Sequence, residues 1–135
     1  MFVLKLDEAR VERLSEVLAF LDGHLEEAEC PMKSMMQLDI AVEELYVNIA
    51  SYAYTPIPGP AEIRLEIEEG PTAAVTFIDQ GVPYDPTAKE DPDVSAPVEE
   101  RQIGGLGIFM VKKSMDDMTY ERVDGKNILT IRKKF

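Results

Sequence analysis

Glu44 and Asn48 stand four residues apart in Val42-Glu43-Glu44-Leu45-Tyr46-Val47-Asn48. On a helix that spacing turns both side chains toward one place. An asparagine in mid-helix competes with the backbone for hydrogen bonds, so its presence there asks for a use. Its amide oxygen is a neutral, hard donor suited to Mg²⁺, and the neighbouring carboxylate could orient or deprotonate a nucleophile. A solvated or capping polar pair has the same pattern. Asp79 closes the apolar run Val75-Thr76-Phe77-Ile78 and precedes Gln80-Gly81-Val82-Pro83. A carboxylate at a strand end can accept a hydrogen bond from the exocyclic amine of a base. Gly81 would allow a flat ligand close to the backbone, or a positive φ, and an ordinary Asp-x-Gly turn is the alternative. Gly104-Gly105-Leu106-Gly107 precedes the apolar run from Ile108. A glycine turn feeding a helix N-terminus offers free N–H groups and the positive dipole end to phosphate oxygens. No Gly-Lys-Ser/Thr follows it and it does not open a βαβ unit, so neither a Walker loop nor a Rossmann fingerprint is present. A plain hinge is the competing reading.

The elements that must hold these residues follow from hydrophobic spacing. Phe2 to Leu6 reads as a strand. Val11, Leu14, Val17, Leu18, Leu21 and Leu25 then recur at helical spacing, with charges between them, to about Ala28. Pro31 suits the first turn of a second helix, expected to run to about Tyr54 before Thr55-Pro56-Ile57-Pro58-Gly59-Pro60 stops it. On that helix Gln37, Ile40, Ala41, Glu44, Asn48, Ser51 and Thr55 share one stripe expected to line a cleft, while Met35, Leu38, Val42, Leu45 and Ile49 face the core. Glu62 to Glu68 alternates apolar and charged residues, and Ala73 to Ile78 pairs with it across Glu69-Gly70-Pro71-Thr72. Asp85 to Gln102 is a long loop rich in Pro, Asp and Glu, a type usually functional or mobile. A short helix to about Met115 follows, and then strands Met118 to Val123 and Asn127 to Arg132 around Asp124-Gly125-Lys126. The expected fold is α+β: a two-layer α/β sandwich in which a mostly antiparallel sheet carries three helices on one face.

The 135 residues suit a single domain spanning 1–135. With 26 Asp+Glu against 14 Lys+Arg, the net charge of −12 argues against any nucleic-acid partner. No run approaches the length of a membrane span, and the N-terminus lacks a basic, then apolar, leader pattern. The lone Cys30 can form no internal disulfide and has no Cys or His cluster around it, which fits a reducing cytoplasm. His24 is expected at the surface and the seven methionines mostly in the core, although Met35-Met36 could meet a partner.

Taken together, Glu44-x-x-x-Asn48 on a helix, Asp79-x-Gly81-x-Pro83 at a strand end and Gly104-Gly105-Leu106-Gly107 before a helix resemble, in this order, the N, G1 and G2 boxes of the GHKL ATPases, whose domain has the Bergerat fold. Within that superfamily the chain looks most like the stand-alone anti-sigma-factor serine/threonine kinases. The resemblance extends over essentially the whole chain, including Met115-Asp116-Asp117-Met118-Thr119-Tyr120. It implies that Glu44 is the general base toward a serine, that Asn48 holds the Mg²⁺ bridging the phosphates of ATP, and that Asp79 bonds the adenine amine beside Gly81. Gly104, Gly105, Leu106 and Gly107 would face the phosphates under a lid from Pro86 to Gln102. It further implies a homodimer that phosphorylates a small anti-sigma-factor antagonist protein and sequesters a sigma factor.

The chain departs from the family's pattern in two places. Tyr52 stands where many members carry His, four residues past the box asparagine. The lid is acidic, Glu90, Asp91, Asp93, Glu99 and Glu100 against Lys89 and Arg101, so Arg101 is the lid residue that electrostatics favours for reaching phosphate. Two other classes of function remain open at this level. One is a non-catalytic switch that binds nucleotide and a partner; the other is a plain interaction domain, which leaves the three ordered motifs unexplained.

Overall fold

The computed structural model describes residues 1–54, 56–88 and 105–135. In chain order the elements are β1 (Phe2–Leu6), α1 (Leu14–Glu27), α2 (Met32–Asn48), β2 (Ala61–Glu68), β3 (Thr72–Asp79), α3 (Gly105–Ser114), β4 (Asp117–Val123) and β5 (Lys126–Lys134). Short 3₁₀ turns at Val11–Arg13 and Pro86–Ala88 and a π-helical turn at Ile49–Ala53 complete them. The five strands form one sheet in the order β1-β2-β3-β5-β4. Every pairing in it is antiparallel, where sequence alone predicted mostly so. The closing hairpin inserts β5 beside β3, which leaves β4 at the edge. Its two-residue turn holds Asp124 at φ 51° and Gly125 at φ 76°, the left-handed pair that an Asp-Gly hairpin favours.

Period-two alternation puts matching rows on one face of the sheet: Ile63, Phe77 and Leu129 in one row, Leu65, Val75 and Ile131 in the next. All six are buried. Against them lie Val17, Leu21 and Leu25 of α1, Leu38, Val42, Leu45 and Tyr46 of α2, and Ile108 and Val111 of α3. Each such fully buried apolar side chain contributes about 1.5–3 kcal/mol, so the three helices are held by this face rather than by intrinsic propensity. The opposite face stays wetter, with Arg64 and Glu62 paired along β2 and Thr76 Oγ1 3.0 Å from Thr130 Oγ1.

Helix boundaries mostly follow their sequence signals. α1 ends at a Schellman turn, with Glu29 N–H donating to Glu26 O (3.0 Å) and Cys30 N–H to Leu25 O (3.0 Å); Glu29 sits there at φ 60°. Pro31 caps α2 from just outside, so the helix begins at Met32. The helix predicted to reach Tyr54 is α-helical only to Asn48 and then widens into the π turn. The stripe assigned to a cleft is also divided: Ala41 is buried in the core and Ile40 is exposed. Thr55, Arg101, Gly104 and all of the proposed lid beyond Ala88 lie outside the described residues.

Candidate functional site

One row crosses the whole sheet at its end: Leu6, Ala61, Asp79, Asn127 and Arg122, each opposite the next. Its first two members are apolar and its last three polar, so the buried face changes character where β3 ends. Asp79 and Asn127 are each only 6% exposed. Two buried polar side chains must bond to something, and here they bond to each other and to the chain that follows Asp79. Asn127 Nδ2 donates to Asp79 Oδ1 (2.9 Å) and to Val82 O (2.8 Å), and Gly81 N–H also donates to Asp79 Oδ1 (2.9 Å). From the edge strand, Tyr120 OH and Arg122 Nη1 (3.0 Å) donate to Asn127 Oδ1, and the same Nη1 donates to Gly81 O (3.0 Å).

This cluster forms one wall of a cavity of about 360 Å³, a size suited to a small organic ligand. The opposite wall is the end of α2 and its π turn, with Leu45, Asn48, Tyr52 and Ala53; Phe77 and Leu129 make an apolar floor, and Val82, Pro83 and Tyr84 line the side. A π turn places side chains off the α-helical stripe and is frequent beside functional sites. Here it also presents Ala53 O to Val82 N–H (3.1 Å), tying the end of the helix to the loop after Asp79. Tyr54 secures the other side of that loop, accepting from Gln80 N–H (2.7 Å) and donating to Pro60 O. Burial raises the pKa of the Tyr54 and Tyr84 phenols above the usual tyrosine value, and for Tyr84 the charges of Glu44 and Asp85 add to the rise.

The predicted residues divide as follows. Asn48 and Asp79 face one cavity. Glu44, half-buried, lines a second hollow between α2 and α3 with Ile40, Leu106, Gly107 and Met110. Asn48 joins the two, its Nδ2 lying 3.5 Å from Glu44 Oε1, a long hydrogen bond. Gly81 lacks the positive φ that was one expectation for it. It is a glycine because a Cβ there would overlap the carbonyl of Ala53, so the close backbone approach it permits is to the π turn. Gly107 likewise serves a neighbouring side chain, since a Cβ there would overlap the Glu44 carboxylate. Gly105 opens α3 and Leu106 is partly exposed in its first turn.

A divalent cation fits this donor set in one way. Asn48 Nδ2 turns toward Glu44, which leaves the amide oxygen as the donor, and Mg²⁺ commonly takes one or two protein ligands while phosphates and water supply the rest. Sequence reasoning missed Asn127, Tyr120 and Arg122. The signal was present, because Asn127 is in phase with Leu129 and Ile131, the buried alternation of β5, and not with Thr130.

The histidine kinase-like ATPase domain model matches residues 8–133. The chain is 34% identical over 95 residues to the serine/threonine-protein kinase BtrW of Bordetella bronchiseptica, covering 70% of this chain and 66% of BtrW. It is 30% identical over 96 residues to the serine-protein kinase RsbW of Bacillus cereus, covering 68% of this chain and 59% of RsbW. The matches thus span less than two thirds of the length of these relatives. Among solved structures, the fold resembles the RsbU and RsbW domains of a Mycobacterium tuberculosis protein (TM-score 0.65, 14% identity, 99% of this chain, 32% of that one). It also resembles a chain of the SiaB-SiaC complex from Pseudomonas aeruginosa (TM-score 0.63, 16% identity, 98% of this chain, 89% of that one). With the family model covering residues 8–133 of the 135, from just after β1 into β5, the chain belongs to the histidine kinase-like ATPase domain family.

Proposed function

We propose that this chain is an ATP-binding anti-sigma regulatory factor with serine/threonine protein kinase activity. Its substrate would be a serine of a small anti-sigma-factor antagonist, and the kinase freed by that phosphorylation would sequester a sigma factor. The observation that carries the reading is the shared cavity: an adenine-type acceptor, Asp79, and a cation donor, Asn48, face one apolar-floored space, with a carboxylate, Glu44, one helical turn from Asn48. The names of the relatives BtrW and RsbW support the same chemistry.

In this reading Asp79 accepts from the exocyclic amine of adenine, while Phe77 and Leu129 cover the ring and exclude water. Asn48 would hold Mg²⁺, which neutralises phosphate charge when bound. Glu44 takes the proton of the substrate serine as its oxygen bonds to the γ-phosphorus, and the bond from that phosphorus to the departing ADP breaks. The N-terminal turn of α3, with Gly105, Leu106 and Gly107, offers N–H groups to phosphate oxygens. Homodimerisation and a cytoplasmic location belong to the same proposal; among the described residues no helix is long and apolar enough to cross a membrane.

A second reading has an observation of its own. Glu44 packs on Gly107, so its carboxylate could serve chiefly as a structural contact in a non-catalytic, nucleotide-dependent protein-binding switch. Calorimetric titration of Mg-ATP into the wild type and Asn48→Ala tests the site shared by both readings. Binding that requires Mg²⁺ and is lost in Asn48→Ala is expected; no binding by the folded wild type overturns both. Glu44→Gln then separates them, since a catalytic base is needed for phosphotransfer and not for ATP binding.

A further inference from the structure

Asn127 is the buried residue that the kinase reading leaves without a task. Both ends of its amide are engaged: Nδ2 with Asp79 Oδ1 and Val82 O, Oδ1 with Tyr120 OH and Arg122 Nη1. Turning the amide over would set its NH₂ against the Arg122 guanidinium, which can only donate, and its oxygen against two acceptors, Asp79 Oδ1 and Val82 O, so the orientation has one satisfied state. Asp79 Oδ1 therefore always meets an N–H of Asn127 as well as that of Gly81. With two donors on one oxygen the carboxylate plane is held, and the acceptor capacity left for the cavity is chiefly that of Oδ2.

We propose that Asn127 is the positioning residue for base selection: by locking Asp79 in place it makes the cavity choose a 6-amino purine over a 6-oxo purine. The inference rests on the nucleotide reading above. A 6-amino group brings a donor to the fixed acceptor, whereas a 6-oxo group brings an acceptor against it. A carboxylate free to turn could reach instead for the N1–H of the 6-oxo base and admit it. A locked one cannot make that exchange. Selectivity thus comes from a side chain on β5 and its anchors on β4, both distant in sequence from Asp79.

The test is binding of ADP and of inosine 5′-diphosphate, which differ only at the 6-position and N1, to wild type, Asn127→Leu and Asn127→Ser. The wild type is expected to prefer ADP by on the order of 30-fold, as leaving a buried polar group opposed or unpaired implies. In both variants the preference is expected to fall to within about 3-fold, mainly through weaker ADP binding. Serine keeps the buried position polar while withdrawing the amide from Asp79 and Val82, so either variant suffices if the other does not fold. A preference retained in a folded variant overturns the proposal and leaves the nucleotide reading standing, whereas a folded wild type that binds neither nucleotide overturns both. The ¹⁵N-labelled wild type gives a check without substitution. The Asn127 side-chain NH₂ is expected to exchange slowly with solvent, and exchange as fast as that of a surface asparagine overturns the lock.

Discussion

The Glu44 carboxylate rests on Gly107, in the space that a side chain at position 107 would need. One contact therefore joins the mid-helix acid of α2 to the first turn of α3, and the glycine there is tied to the placement of the acid. Gly107→Ala would meet the far end of a flexible glutamate, which can swing aside, so the stability loss is expected to stay below about 1 kcal/mol. With Glu44 as the proposed base, phosphotransfer to the proposed antagonist substrate is expected to fall by about 10-fold or more, because a displaced base loses its reach. Parallel urea denaturation and kinase assays check both halves, and unchanged phosphotransfer would refute the link between Gly107 and the position of Glu44.

Gly81→Ala presents the opposite case. The added Cβ would meet the carbonyl and backbone carbon of Ala53, which move only if the π turn or the loop after Asp79 moves. A loss of about 1–3 kcal/mol is expected, as for overpacking elsewhere in cores, together with weakened nucleotide binding. Urea denaturation at constant m-value measures the first and calorimetry the second. A variant as stable as the wild type would show that the Ala53–Val82 link is not a constraint.

Asp39 of α2 faces Asp22 of α1, and each carries a buried oxygen without a hydrogen-bond partner. Burial first, then a shared hydrogen bond with Asp22 and its repulsion, push the Asp39 carboxyl from 3.8 up to about 7. The folded state therefore binds more protons than the unfolded state between about pH 4 and pH 7, so this group's contribution to stability is lost as pH rises through that window. Asp39→Asn, which cannot ionise, is expected to gain stability relative to wild type as pH rises from 5 to 8. Thermal unfolding of both proteins across that range checks it; parallel stability curves would remove Asp39 as the titrating group.

Glu29 closes α1 in the left-handed conformation that glycine adopts without strain. The strain relieved in Glu29→Gly is opposed by the greater freedom of glycine in the unfolded chain, leaving an expected gain of about 0.5–1 kcal/mol. Urea midpoints of the two proteins measure it. A lower midpoint in Glu29→Gly would mean that the Glu29 side chain makes a stabilising contribution exceeding its strain.

The fold was legible wherever a period was clean. Alternation along Glu62 to Glu68, the helical spacing from Val11 to Leu25, and the turns at Asp124-Gly125 and Pro31 each state a local preference that the core then uses. Glu44, Asn48 and Asp79 could be nominated for the same reason, because their types conflict with what an ordinary helix or buried strand wants at those positions. What escaped was the join at Asn48. The α-helical wheel assumes 3.6 residues per turn, and the π turn from Ile49 to Ala53 breaks that count just beyond the site.

The sequence by itself nominated Glu44, Asn48 and Asp79 as residues able to carry chemistry and determined which segments alternate, since both follow from side-chain type and short-range spacing. Only the tertiary structure decided their partners. Asn127 meets Asp79, 48 positions earlier, because β5 pairs with β3 in one register, and a shift of one residue would turn Asn127 to the opposite face. Gly81 and Gly107 follow the same rule: the sequence offered Gly81 as room for a ligand or a turn and Gly107 as part of a phosphate-facing turn or hinge, and it could not show that a Cβ at either would meet another part of this chain. Such contacts depend on how helices and strands from distant positions pack at close range, and no local pattern records that distance.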